Sequence, residues 1–391
     1  MTTELPLLST PAHGIPPLID SGNDFSTACR ELADGSGPVA IDAERASGIR
    51  YGQRAFLVQL RRSNAGTFLL DSEALGDLSS LNSAFGEEEW VIHSVTQDLP
   101  CLQERGMRPA ALFDTELAAR MLGWEKFGLA AVAERTLGLR LAKEHSAADW
   151  SKRPLPEEWL NYAALDVEVL LPIRDILAEA LFEAGKLEFA SQEFDHLLDF
   201  RPRHFAEPWR RTHGLSKLKS RRDIAKVREM WTARDIMAAE ADIAPSRIMR
   251  DRDLVALAQS RVRSSDDIMT QRPKLSRADS ARLFRAFRKA TRLPVDELPP
   301  RKEPNPQQSR SSFSHTDLKE RIAVLKGAMA KLAEDREIPH DVLLQPAIVK
   351  ALGAESGVDV EQFLVERGAR PWQVELSAPV LTDAIAKLPA A

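Results

Sequence analysis

The strongest constraint on this chain's fold is a change of pattern partway along it, from short apolar runs to purely helical sequence. The apolar runs are residues 38–43 (PVAIDA), 55–60 (AFLVQL), 67–70 (TFLL), 90–93 (WVIH) and 111–113 (ALF). At this length and composition they read as buried strands. Ser63-Asn64-Ala65-Gly66 separates the second from the third and predicts an antiparallel hairpin. After the fifth run, Asp114 reads as the N-cap of a helix that reaches about Leu122 and stops at Gly123. A longer helix is expected from Pro156-Glu157-Glu158, with acids at the positive end of its dipole and Leu160, Ala164, Val167 and Leu171 on one apolar face. Strands interleaved with helices, plus one hairpin, indicate an α/β fold: a mixed sheet with flanking helices.

Two prolines interrupt residues 201–211 (RPRHFAEPWRR), and from Leu215 the chain is helical in period. Residues 298–312 (LPPRKEPNPQQSRSS) are too polar and Pro-rich to bury a core and read as a linker. We therefore expect an N-terminal extension (1–36), a sheet domain (37–205), a short linker (206–214), a helical bundle (215–297), a second linker (298–314) and a second helical bundle (315–391).

The net charge of −5 alone argues against a nucleic-acid partner, but the charge is unevenly spread. From Gly214 to Glu303 there are 22 Lys and Arg against 13 Asp and Glu, a surplus of nine positive charges, leaving −14 for the remainder. A basic segment beside an acidic one fits a phosphate-binding module joined to a collector of carboxylates. The two cysteines, Cys29 and Cys101, offer no disulfide framework or CxxC site and suit a reducing compartment. No basic start followed by an apolar run marks a signal peptide, and no apolar stretch approaches ~18 residues. We expect a soluble, cytoplasmic protein with no membrane association and no obligate protein partner.

Three motifs carry chemistry. Asp42-Ala43-Glu44 ends the first strand, where residues i and i+2 share a side, so two carboxylates project together. Asp98, in residues 93–99 (HSVTQDL), follows the fourth strand. Tyr162 and Asp166 are spaced i, i+4 in the long helix, which makes them neighbours on one face. Taken singly, each has a plain reading: a solvated strand end, an N-cap aspartate and a core tyrosine.

Taken together, D-x-E, then D, then Y-x-x-x-D on different elements of one α/β domain resemble the DEDD exonuclease superfamily in its tyrosine-bearing DEDDy branch. The branch with His five residues before the last Asp is not matched, since Asn161 stands there. The resemblance to bacterial ribonuclease D runs through Val39, Tyr51, Leu60, His93, Asp114-Thr115, Ala118-Ala119, Lys143, Asp149-Trp150-Ser151, Arg153-Pro154-Leu155 and Leu170, from residue 38 to about 177. Ala43 departs from the family's usual Thr without touching the acids. The resemblance implies a ribonuclease H-like sheet and a 3′→5′ exoribonuclease. Asp42, Glu44, Asp98 and Asp166 would hold two Mg²⁺ or Mn²⁺ ions, and Tyr162 would orient the attacking water by hydrogen bonding, in preference to deprotonating it unless the metals lower its pKa. Two such ions ~3.5–4 Å apart can activate water and relieve charge on a phosphodiester, and hard carboxylate oxygens suit them. His93 and His145 are expected to be structural, while Lys143 and Arg153 could reach substrate phosphates.

Residues 215–290 resemble the HRDC module, the helicase-and-ribonuclease-D C-terminal bundle, through Val227, Trp231, Arg234-Asp235, Ala238-Ala239, Pro245, Ile248-Met249, Asp253-Leu254 and Leu257-Ala258. That resemblance implies a basic face for RNA, with Lys217, Lys219, Arg221, Arg222, Lys226 and Arg247 as candidates. The last segment looks like a second, diverged HRDC-like bundle. RNA, tRNA precursors above all, is the expected partner. A DNA 3′→5′ exonuclease and a non-catalytic RNA-binding scaffold are the alternatives.

Overall fold

The computed structural model describes residues 5–142, 145, 147–272, 275–301 and 313–388. Its sheet domain contains, in chain order, β1 (Leu7–Leu8), β2 (Leu18–Ile19), α1 (Gly22–Ala33), β3 (Ser36–Arg45), β4 (Ala55–Ser63), β5 (Gly66–Leu70), α2 (Ser72–Leu75), α3 (Ser80–Phe85), β6 (Glu89–Ile92), α4 (Val95–Glu104), β7 (Ala111–Asp114), α5 (Thr115–Met121), α6 (Leu129–Leu137), β8 (Arg140–Leu141), α7 (Glu157–Glu168), α8 (Leu170–Glu183) and α9 (Leu187–Leu198).

Six strands form a mixed sheet in the order β2-β5-β4-β3-β6-β7. The expected hairpin is present: β4 and β5 are antiparallel, with Asn64 and Gly66 at positive φ in the turn. β3 pairs antiparallel with β4 and parallel with β6. Ile41 and Ala43 face the large core with Val58, Leu60, Leu70, Leu99 and Ile173. Asp42 and Glu44 face the other way, where α7 packs Ala163 and Ala164 against Leu57, Leu69 and Trp150. The alternation along β3 thus sets both carboxylates beneath α7.

Within the expected N-terminal extension, residues 18–33 join the sheet domain. β2 pairs with β5 at the sheet edge, and α1 buries Phe25, Ala28 and Leu32, at helical spacing, in the core. β1 and β2 span only two residues each within Pro-bearing sequence, which hides them from periodicity. The expected long helix is two, α7 and α8, joined at Val169.

The first bundle comprises α10 (Arg221–Glu240), α11 (Pro245–Ile248), α12 (Asp251–Gln259), α13 (Ser265–Gln271) and α14 (Arg277–Arg292) around Val227, Met230, Leu254, Leu257, Leu283 and Phe287. Both linker expectations need trimming. Trp209 lies in a 3₁₀ turn (Pro208–Arg211) and is buried in the bundle core, and Leu298 packs on Ala225 and Ala290.

The second bundle has α15 (His315–Arg336), α16 (His340–Leu343), α17 (Pro346–Gly353), α18 (Val360–Glu366) and α19 (Pro371–Ala386). Its core runs continuously into that of the sheet domain, where the Trp372 ring stacks on Phe189 at 5.1 Å. Among the described residues, no helix is long and apolar enough to cross a membrane.

Candidate active site

Asp42 and Glu44 stand on β3, Asp98 in the first turn of α4, and Tyr162 and Asp166 one turn apart on α7. Asp42, Glu44 and Asp166 each bring a carboxylate oxygen within 4.8 Å of the others. Asp98 joins them through a carboxyl–carboxyl hydrogen bond with Asp42. Glu44, Asp98 and Asp166 are buried, and Asp42 keeps part of its surface open to solvent.

Burial pushes all four carboxyls above their ordinary range, and mutual repulsion pushes Glu44, Asp98 and Asp166 further. Arg45 opposes this from the end of β3. Its guanidinium lies 3.3 Å from Asp98 and donates to the Gln97 carbonyl at 2.9 Å. One guanidinium cannot balance four carboxylates. In their charged form they leave buried negative charge that a divalent cation would neutralise, and their hard oxygens suit such an ion. Gln59, opposite Asp42 in the β3–β4 register, is fully buried, and neither polar atom of its side chain has a hydrogen-bond partner among the described residues. An unpaired buried amide beside the acids is a second sign that the pocket fits a further polar group.

The Tyr162 hydroxyl donates to Asp166. Burial and the charges of Asp166, Glu44 and Asp42 hold its pKa far above the usual phenol value. It therefore keeps its proton and acts as a hydrogen-bond donor. The His145 ring meets Tyr162 edge-on at 5.8 Å.

Asp98 is not the N-cap that its position suggests. Ser94, in left-handed conformation, precedes α4, and the cap comes from across the sheet. Asp114 accepts from the backbone N–H groups of Ser94 (3.0 Å) and Val95 (2.9 Å), and also from Glu116 and Leu117 at the start of α5. One carboxylate thus fixes two helix starts and, through α4, the placement of Asp98. Burial pushes Asp114 up to about 6. His93 bonds the Thr115 hydroxyl at 2.8 Å, and burial lowers its pKa to about 4, so it is neutral at pH 7.

Arg45 and Asp114 are the residues missed from sequence. Arg45 adjoins Asp-Ala-Glu and could have been read as its counter-ion. Asp114 was read only as the cap of its own helix.

Most proposed phosphate-binding cations are occupied elsewhere. All five N–H groups of Arg153 are used: two hold Asp71 (2.5 and 2.7 Å), and three go to the carbonyls of Phe56, Trp150 and Lys152. Arg221 donates to the Leu298 and Pro299 carbonyls, and Arg222 to those of Ala290 and Leu293. Lys226 bonds Asp223 and the Ala258 carbonyl, each at 2.9 Å. Arg247 reaches the Gly48 carbonyl at 3.1 Å. Each of these bonds ties a segment of the fold, although Arg247 commits only its Nε–H and remains exposed. Lys217 and Lys219 are exposed. Lys143 lies outside the described residues.

A family model described as 3′-5′ exonuclease matches residues 18–181, which contain all four acids and Tyr162. A second, described as 3′ to 5′ exonuclease C-terminal domain, matches residues 305–385. Ribonuclease D of Acidiphilium cryptum is 32% identical over 261 residues, 64% of this chain and 64% of that protein. The chain resembles curated ribonuclease D proteins. It spans just under two thirds of the length of that curated relative. A solved protein from Bifidobacterium adolescentis is 38% identical with a TM-score of 0.86, covering 98% of this chain and all of that one. The structure of Escherichia coli RNase D, an exoribonuclease involved in structured RNA processing, is 23% identical with a TM-score of 0.70, covering 95% of this chain and 99% of that one. That likeness speaks to the fold, both bundles included.

Proposed function

We propose that this chain is a metal-dependent 3′→5′ exoribonuclease that releases 5′-mononucleotides from RNA, tRNA precursors above all, in the cytoplasm. One observation carries the reading: acids from three separated segments converge on one pocket, with Tyr162 donating into it. Similarity to curated ribonuclease D proteins supports RNA as the substrate.

Asp42, Glu44, Asp98 and Asp166 would hold two Mg²⁺ or Mn²⁺ ions, whose chemistry when bound is to activate water and relieve charge on the scissile phosphate. The chain's own residues prepare the pocket for this. Arg45 holds Asp98 toward Asp42, and Asp114 fixes the helix that bears Asp98. Tyr162, with its proton retained, orients the attacking water by hydrogen bonding. The first bundle, read as an HRDC module, would engage the RNA backbone with Lys217 and Lys219 among its contacts. The second, a diverged HRDC-like bundle, would complete a funnel for a single-stranded 3′ end.

Matched RNA and DNA oligomers, incubated with and without EDTA and followed by product analysis, test this directly. We expect 5′-mononucleotides from RNA only when a divalent ion is present. Asp42→Asn and Asp166→Asn should each abolish the reaction while RNA binding survives. Retained hydrolysis in either variant would refute the metal assignment.

A further inference from the structure

We infer that the outer face of α14 is a rail for the backbone of single-stranded RNA, a proposal that rests on RNA being the substrate. Arg277, Arg285, Arg288 and Arg292 fall on one helical stripe, and all four are exposed. The opposite face buries Ser280, Leu283, Phe287 and Ala290 in the bundle. The helix's one acid, Asp279, is held by the Ser276 hydroxyl at 2.6 Å.

These arginines differ from those around them. Arg221, Arg222, Arg234, Arg272 and Arg282 all bond to carbonyls or carboxylates. No hydrogen bond or ion pair engages Arg277, Arg285 or Arg292 among the described residues, and Arg288 only lies over the Phe284 ring at 5.8 Å. Like charges three and four residues apart repel, so the folded chain holds a row of cations that a polyanion would neutralise.

The direction of the row fits such a ligand. α14 runs antiparallel to α10, with Arg282 paired to Glu240 and Lys289 to Glu229. Glu240 is two residues from Asp242, which Arg54 of the sheet domain holds at 2.8 Å. The Arg277 end of α14 therefore lies at the docked end of the bundle, and Arg292 lies about 22 Å further out along the axis. A strand whose 3′ end enters the acid pocket could follow this row outward. Beside the arginines, Phe284, Leu293 and Pro294 line a shallow recess of about 530 Å³, where a base could stack.

The test is binding of the full chain to a long 5′-labelled oligouridylate in EDTA, which keeps cleavage out of the reading, across a salt series. For Arg285→Gln/Arg288→Gln/Arg292→Gln we expect affinity to fall about tenfold or more. The slope of log affinity against log salt should flatten by about 2, at roughly 0.7 per lost phosphate contact. The melting temperature at low salt should hold or rise, because repulsion is relieved and Gln suits helices. The corresponding Lys triple variant should recover most of the slope, and Arg282→Gln, which breaks a pair off the stripe, should leave it unchanged.

Affinity and slope equal to wild type would overturn the rail. So would joint loss of affinity and melting temperature, which marks a structural stripe, or loss of poly-glutamate binding with RNA binding intact, which assigns the face to an acidic protein. Failure of the wild-type protein to hydrolyse RNA would instead strike the exoribonuclease reading, and the binding data would show separately whether the rail stands.

Discussion

Arg54 grips Asp242 with two hydrogen bonds, 2.9 and 2.8 Å long, and so ties the segment that follows the acid-bearing strand β3 to the first bundle. The same seam includes the Tyr51 hydroxyl on Asp235 at 3.1 Å and the Ala244 N–H on the Ile49 carbonyl at 2.9 Å. The hydrogen bond from Arg54 holds Asp242 below the usual carboxylate range. A lowered pKa means that this contribution is present above the unfolded value of about 3.9 and fades as pH falls through the folded one. The pair is partly solvated, at 29% and 40% side-chain exposure, so we expect a coupling of only about 0.5–1 kcal/mol. A double-mutant cycle of Arg54→Gln and Asp242→Asn in urea should read that value at pH 7 and nearly nothing at pH 3. Asn suits the test because Asp242 sits at φ +48°, which Asn tolerates better than Ala.

The acid cluster should make the metal-free protein less stable as pH rises. Its four carboxyls have folded pKa values raised by burial, so the folded state retains protons that the unfolded state has lost. Stability is greatest below about pH 4 on this account and declines as pH climbs through the raised values. Asp166→Asn should therefore stabilise the metal-free protein at pH 8 by about 1–2 kcal/mol while eliminating hydrolysis. Calorimetry with and without Mn²⁺ checks both halves. The ion should raise the wild-type melting temperature at pH 8 far more than at pH 5, and should do little for Asp166→Asn. A wild-type melting temperature indifferent to Mn²⁺ at pH 8 would count against metal binding.

The pairs Asp42/Glu44 and Tyr162/Asp166 were legible because local periodicity puts each pair on one face, two residues apart on a strand and four on a helix. Their meeting with Asp98 was implied only by the resemblance to a known family. The cations were not legible, because an arginine's partner is set by tertiary packing. Arg153 meets Asp71, 82 positions away, and Arg222 meets a carbonyl 71 positions on, neither visible as a local pattern. Asp98 looked like a cap because the group that does cap α4, Asp114, reaches across from the neighbouring strand. β1 and β2 escaped notice since two residues cannot display a period.

Tyr162→Phe should lower kcat by about 10²–10³-fold with little change in KM, since the hydroxyl orients water and leaves the acids in place. Phenol ionisation is suppressed by the surrounding anions, so the wild-type profile should show no rising limb near pH 10. A limb present in wild type and absent in Tyr162→Phe would make the tyrosine a base. Mn²⁺-induced stabilisation should persist in the variant, separating the hydroxyl's role from ion binding.

Asp114→Asn is expected to impair a site that it does not touch. The amide keeps one acceptor for the Ser94, Glu116 and Leu117 N–H groups, but its NH₂ replaces the oxygen that serves Val95. One buried N–H loses its partner, at a cost of about 1–3 kcal/mol, and the start of α4 shifts with Asp98 upon it. Urea denaturation should register the loss. Activity at saturating RNA should fall by about tenfold or more in the fraction that remains folded. Full activity with normal stability would show that α4 is held by its own packing.

The second bundle is fastened by a buried ion pair, which gives the sharpest stability prediction. Arg370 meets Glu193 of α9 through two bonds of 2.6 Å each, and the Trp372 indole N–H adds a third at 2.8 Å. Side-chain exposure is 12% and 8%, so either charge left alone would be largely desolvated. Such a pair can contribute little net stability, yet removing one partner costs about 3–5 kcal/mol. Glu193→Ala should therefore destabilise strongly and expose the Trp372 surface, read as a red shift in tryptophan emission before global unfolding. Glu193→Gln should cost less, since its oxygen still accepts from the indole. In Glu193→Leu/Arg370→Met, with both charges gone, much of the stability should return. If the double variant is no better than Glu193→Ala, specific hydrogen-bond geometry rather than an unpaired charge governs the docking of this bundle.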